Sequence, residues 1–200
     1  MVSFTALFLA IRTFVFVVVI VSIVLIMCAP GSALYISAKN GEYDVPEEPV
    51  VPVVSIGHWA SGYLAGDGGQ RVWGQMVVII IALLFSFPSL IFSCVKYKTG
   101  SSLNMPQILY CALAMLIYLI LGGVEVWYAT GFGVIPEKGT IMYATEYTDT
   151  TSPSNLEVSV TFLNHGWLVA AVLFFLCAVL QVVDGAIVYF RRGAYNLYKY

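Results

Sequence analysis

The sequence predicts an all-α membrane protein: a four-helix transmembrane bundle with two extracellular loops, the second carrying a small β-hairpin. Three observations carry this prediction. Sixty per cent of the 200 residues are apolar and only ten per cent charged, against roughly a quarter charged in a soluble domain. Four apolar runs are each long enough for a helix to cross a hydrocarbon core, which takes about 20 residues. Lys and Arg are unevenly shared between the segments that separate those runs. Net charge is only −2 and there are four Cys, so disorder, nucleic-acid binding and a secreted disulfide scaffold are excluded for the whole chain.

The chain reads as a single membrane domain, residues 1–200, with spans at about 13–29, 72–95, 106–128 and 167–190. The first is rich in Val and Ile, a strand composition in water. Its length and the need to pair every backbone group in lipid make it a helix. A barrel would need many alternating segments, whereas these are apolar on all sides. A cleaved signal peptide ending near Gly31-Ser32-Ala33 is the competing reading. The apolar run of about 17 residues exceeds the usual signal core of about 7–15. With the N-terminus inside, the inner segments hold six basic residues: Arg12, Lys96, Lys98, Arg191, Arg192 and Lys199. The outer loops hold three: Lys39, Arg71 and Lys138. Both termini are therefore expected in the cytoplasm.

The first outer loop, 30–71, contains Val45-Pro46-Glu47-Glu48-Pro49-Val50-Val51-Pro52. Proline at this spacing blocks a helix and favours a polyproline-like or edge-strand conformation. Trp59, Tyr63 and Trp73 suit the headgroup level as interfacial anchors, or form an aromatic surface for a partner. The inner loop, 96–105, is short enough to make the second and third helices antiparallel neighbours. In the second outer loop, 129–166, Thr140–Tyr147 and Glu157–Phe162 flank the turn cluster Thr150–Asn155. That arrangement predicts the hairpin. A hairpin alone is marginal, so it would need support from the first loop or from another molecule. No Asn has Ser or Thr two residues on, so N-glycosylation is not expected.

Cys28, Cys94, Cys111 and Cys177 all lie in or beside spans, and the outer loops have no disulfide. Each reads first as a small buried apolar residue. Cys94, two residues from Lys96 at the inner boundary, is also a palmitoylation candidate. Three ionisable residues stand out in the spans. Arg12 and Asp184 both sit toward the inner side, and a buried pair between the first and fourth helices is expected. Glu125 lies near the outer end of the third span, ahead of Trp127 and Tyr128. Gln181, one turn before Asp184, is placed for an interhelical hydrogen bond. Gly122 and Gly123 are placed for close helix packing, and Pro88, flanked by Ser86 and Ser89, for a kink.

The span centres are otherwise nearly bare of polar groups, unlike a transporter's midplane site. His58 and His165 lack any second metal ligand at helical spacing. No phosphate loop is present, and Glu47 and Glu48 read as a solvated charge run. No catalytic, cofactor or metal site is expected, and no enzyme.

The run Val169–Phe190, Val-Ala-Ala-Val-Leu-Phe-Phe-Leu-Cys-Ala-Val-Leu-Gln-Val-Val-Asp-Gly-Ala-Ile-Val-Tyr-Phe, resembles the last helix of MARVEL-type four-span proteins. In that helix a small and aromatic run precedes a polar residue near the cytoplasmic end. Met1-Val2-Ser3, Ile11-Arg12, Gly122-Gly123-Val124 and Trp127-Tyr128 are similar to four-span proteins of the insect smooth septate junction. The long outer loops here depart from the compact loops of that group. The resemblance implies a plasma-membrane organiser of a cell junction or membrane domain, contributing to a paracellular barrier. Its partners would be the lipid bilayer and other membrane proteins, including copies of itself. No nucleic acid and no small-molecule substrate is expected. An auxiliary subunit of an ion channel or receptor, and a small transporter or channel, are the alternatives.

Overall fold

A computed structural model of the protein describes residues 4–40, 43–44, 48–50, 56, 74–99, 104–130 and 156–197, and the side chains of 7–32, 56, 74–91, 105–130 and 163–190. Four long helices dominate: α1 (Phe4–Cys28), α2 (Gly74–Thr99), α3 (Asn104–Ala129) and α4 (His165–Leu197). All four are long and apolar enough to cross a membrane. Their exposed faces support the same conclusion. Leu109 is 74 % exposed, Leu84 63 % and Phe190 74 %, a surface that suits lipid and not water.

All four helices start or end beyond the apolar runs from which the spans are predicted, three of them by several residues. Helix α1 begins at Phe4, α2 continues through Lys96 and Lys98 to Thr99, and α4 continues to Leu197. Polar residues at a helix end can sit at the headgroups without breaking the backbone ladder. The stretch between α2 and α3 is thereby shortened to residues 100–103.

The chain forms two compact units. The first comprises Met1–Ile23, Val77–Val124 and Ala170–Tyr200. Its described residues are helical, and four contacts close them into a ring. Phe16 of α1 meets Phe87 of α2 edge-on at 5.6 Å. The Tyr110 hydroxyl of α3 donates to the Phe85 carbonyl of α2. Tyr118 of α3 stacks with Phe174 of α4 at 6.3 Å. Arg12 of α1 pairs with Asp184 of α4. The buried positions of α3 here, Gln107, Cys111, Ala114, Tyr118 and Leu121, recur every three or four residues, as one face of a helix must.

The second unit comprises Val24–Met76 and Glu125–Val169. It is built on β1 (Ser32–Asn40) and β4 (Leu156–Asn164). They pair antiparallel over nine residues in one unbroken register, from Ser32 opposite Asn164 to Asn40 opposite Leu156. On the other side of β1 lie β2 (Tyr43–Asp44) and β3 (Glu48–Val50). Among the described residues β3 pairs with β1 alone, so Pro49 stands there on an edge strand, where its missing N–H is tolerated. In the register Lys39 falls opposite Glu157 on one side and Asp44 on the other.

The expected strand at Glu157–Phe162 is thus present, slightly longer. Its partner among the described residues is β1 of the first loop. The other arm expected for the hairpin, Thr140–Tyr147, lies outside the described residues, so the hairpin itself is not observed. The strand at 32–40 is an addition to the sequence-based expectation, and its long partner lies far along the chain.

Helices and strands join without a gap. Helix α1 closes with Ala29 N donating to Leu25 O at 2.9 Å. Ala29 (φ 44°) and Gly31 (φ 70°) take left-handed conformations that turn the chain into β1. The carbonyls of Gly31 and Pro30 then accept from His165 N at 3.3 Å and Gly166 N at 2.9 Å, the first amides of α4. Asn164 caps α4: its Oδ1 accepts from Trp167 N at 3.1 Å. The Trp167 indole N–H donates to Ile26 O at 3.0 Å, in the last turn of α1.

Gly166 is fixed by this junction. A Cβ there would run into the Pro30 ring and stand 2.9 Å from the Pro30 nitrogen, which is backbone and cannot move aside. Gly166→Ala is expected to cost about 1–3 kcal/mol, read as an earlier midpoint when the protein is unfolded with dodecyl sulfate in mixed micelles.

Candidate functional site

The polar groups inside the spans are the candidate site, because lipid makes each of them costly unless it is paired. Arg12 and Asp184 are brought together. Both are buried, and Arg12 Nε and Nη2 each lie 2.8 Å from Asp184 Oδ2. Both arginine nitrogens approach one oxygen, so this is not a two-oxygen fork. The rest of the surroundings come from three elements. Arg12 Nη1 donates to Ser89 O of α2 at 3.4 Å. The Cys111 thiol of α3 lies 3.4 Å from Asp184 Oδ2. The Phe8 ring, one turn before Arg12, sits 5.8 Å from the guanidinium carbon, within cation–π range. All four helices therefore touch the pair.

Pro88 lies inside α2 next to Ser89. It cannot donate to the carbonyl four residues earlier, and its ring crowds the preceding turn. Nearby carbonyls of α2 take other donors: Ser86 Oγ donates to Leu83 O at 3.0 Å, Tyr110 to Phe85 O, and Arg12 to Ser89 O. Ser86 thus serves the carbonyl just before Leu84 O, the one that Pro88 leaves without its usual donor. Tyr110 of the neighbouring helix takes the next carbonyl along, Phe85 O.

The remaining expected residues divide. Gln181 is buried beside Asp184, but its Oε1 has no hydrogen-bond partner. Gly122 packs closely: a Cβ there would lie 2.6 Å from the Phe175 ring of α4. Gly123 makes no such contact with a neighbouring helix. It is exposed, and a Cβ added to it would meet nothing within 4 Å. Neighbouring helix residues point about 100° apart, so only one of the two can meet α4. Trp59, Tyr63 and Trp73 lie outside the described residues. Cys94 is in α2, with its side chain outside them. Cys28 is an exposed free thiol, and Cys111 and Cys177 are buried free thiols.

A second polar pair lies in the other unit. Glu125 of α3 and Gln75 of α2 are wholly buried, and Gln75 Nε2 donates to Glu125 Oε2 at 3.2 Å. Tyr128, one turn after Glu125, meets Trp167 edge-on at 6.0 Å. Glu125 stands out in the sequence, but Gln75 does not, since a lone Gln at the start of an apolar run resembles an ordinary span boundary. Among the described residues no three His, Cys, Asp or Glu side chains gather as a metal site would require.

Four apolar helices with paired polar groups in their interior define the class: a multi-pass membrane protein with four spans. Comparison with protein-family models, with curated proteins and with solved structures finds no match.

Substitution tests both the ion pair and the glycine contact. Arg12→Leu and Asp184→Leu should each lower stability by about 3–5 kcal/mol, and the double substitution by less than either, since removing one partner strands a buried charge. A double-mutant cycle by dodecyl sulfate titration measures this. Gly122→Ala should cost about 1–3 kcal/mol through the Phe175 ring. Gly123→Ala should be neutral or stabilise by up to about 1 kcal/mol through helix propensity, and the same titration separates the two.

Proposed function

We propose that this protein is a structural four-span organiser of a cell junction or membrane domain, of the septate-junction kind, and not a carrier of solutes. Both chain ends face the cytoplasm, and the sheet stands on the outer side of the plasma membrane. The observation that carries this reading is the nine-residue ladder between β1 and β4. Strands from the two long connections build one sheet, seated directly on the ends of α1 and α4. A stiff element of that kind can bridge or fill the gap between apposed membranes.

Three further points support the reading. The Lys and Arg bias puts the sheet outside. The resemblance to MARVEL-type proteins and to four-span proteins of the insect smooth septate junction points to membrane apposition. The Arg12–Asp184 pair is enclosed by Phe8, Ser89 and Cys111, which suits a bolt between helices better than a station on a solute path.

The test is localisation with barrier function in a polarised epithelium. The tagged protein should form a continuous line at lateral cell borders, and its depletion should raise paracellular tracer flux. Tags at either end should be detected only after permeabilisation. Recovery at fixed stoichiometry with a channel, without a border line, would replace this reading with that of an auxiliary subunit. Solute flux into liposomes holding the purified chain would replace it with a transporter.

A further inference from the structure

Glu125 and Gln75 are wholly buried and joined by a single hydrogen bond, from the amide nitrogen to one carboxyl oxygen at 3.2 Å. Each side chain also has a second oxygen, Oε1 in both, and neither has a partner. A carboxylate oxygen and an amide oxygen are both acceptors, so they cannot satisfy each other. Two bare acceptors in a wholly buried place are the arrangement that folded proteins avoid.

Besides water, which would leave an ionised carboxylate in the apolar interior, three kinds of donor would complete the pair. A basic side chain is one, but the ion pair found among the described residues is Arg12–Asp184, and Glu125 takes no part in it. A hard metal cation is another. Calcium draws on about 6–8 oxygens, and the described residues gather no acidic cluster. The third is a hydrogen on the carboxyl itself. With it, Glu125 Oε1 becomes a donor to Gln75 Oε1 while Gln75 Nε2 donates to Glu125 Oε2. One hydrogen then serves both bare oxygens and closes a cyclic, two-armed acid–amide pair.

We propose that Glu125 and Gln75 form a buried proton-binding site between α2 and α3, in which Glu125 is a neutral carboxylic acid that donates its hydrogen to the Gln75 carbonyl. The site is separate from the Arg12–Asp184 pair and does not rest on the junction reading. It binds the helices together through hydrogen bonds without placing a net charge in the apolar interior.

Infrared spectroscopy of the full chain in lipid at neutral pH tests this. The native protein should show the carbonyl stretch of an un-ionised carboxyl. Labelling with 13C-glutamate should shift that band, and Glu125→Gln should remove it. The same variant should keep its dodecyl sulfate midpoint, because a second amide restores both arms with no charge involved. Glu125→Leu leaves Gln75 without a partner and should unfold earlier. A native spectrum with no glutamic acid band overturns the proposal, and that measurement needs no variant. So does an acid band that survives Glu125→Gln, or a Glu125→Gln variant that unfolds as early as Glu125→Leu.

Discussion

Lipid offers no hydrogen bond to a peptide group, and the ends of a helix leave several such groups unpaired. Much of what is particular to this fold answers that constraint. At the end of α1, Leu25 O is taken by Ala29, Ile26 O by the Trp167 indole, and the carbonyls of Pro30 and Gly31 by the first amides of α4. The opening of α4 is completed by Asn164. Two helices thus settle their exposed ends on one another. The ladder of β1 and β4 continues that exchange outward from Ser32 and Asn164. Around Pro88 the Phe85 and Ser89 carbonyls also take side-chain donors from two other helices, Tyr110 and Arg12.

The buried polar side chains follow a related logic with different energetics. A buried ion pair adds little net stability over apolar packing, yet it is costly to break. Its effect is to fix which helices meet and in what register. Arg12 and Asp184 do this for α1 and α4, and Gln75 and Glu125 for α2 and α3. Apolar faces alone would let a Leu-lined helix slide or rotate in lipid, where no hydrophobic drive favours one helix contact over another. Gly122 adds a steric condition, admitting Phe175 where a side chain would exclude it.

Much of the architecture is legible in the sequence because membranes impose a length rule. Four apolar runs of the right length give four helices, and an Arg and an Asp at similar depth on two of them point to a pair. What stays hidden depends on partners distant in the chain or on rotation about a helix axis. The strand at 32–40 follows a span and alternates in hydropathy, yet its partner lies beyond two further helices. Gln75 acquires meaning only beside Glu125. The difference between Gly122 and Gly123 is one of facing, which two adjacent identical residues cannot reveal. Asn164 is the most readable of the missed groups, since an Asn three residues ahead of Trp167 at the start of an apolar run is an ordinary capping signal.

The Arg12–Asp184 pair also bears on how the protein is made. Its members are separated by 172 positions, and a ribosome adds roughly 5–20 residues per second. The arginine therefore enters the bilayer well before its counter-charge has been synthesised. During that interval α1 must ride high, its guanidinium drawn to the lipid phosphates, or be sheltered by the insertion machinery. Asp184 can reach it only when the last helix arrives. The first-made helix thus waits for the last-made one before its buried charge is paired.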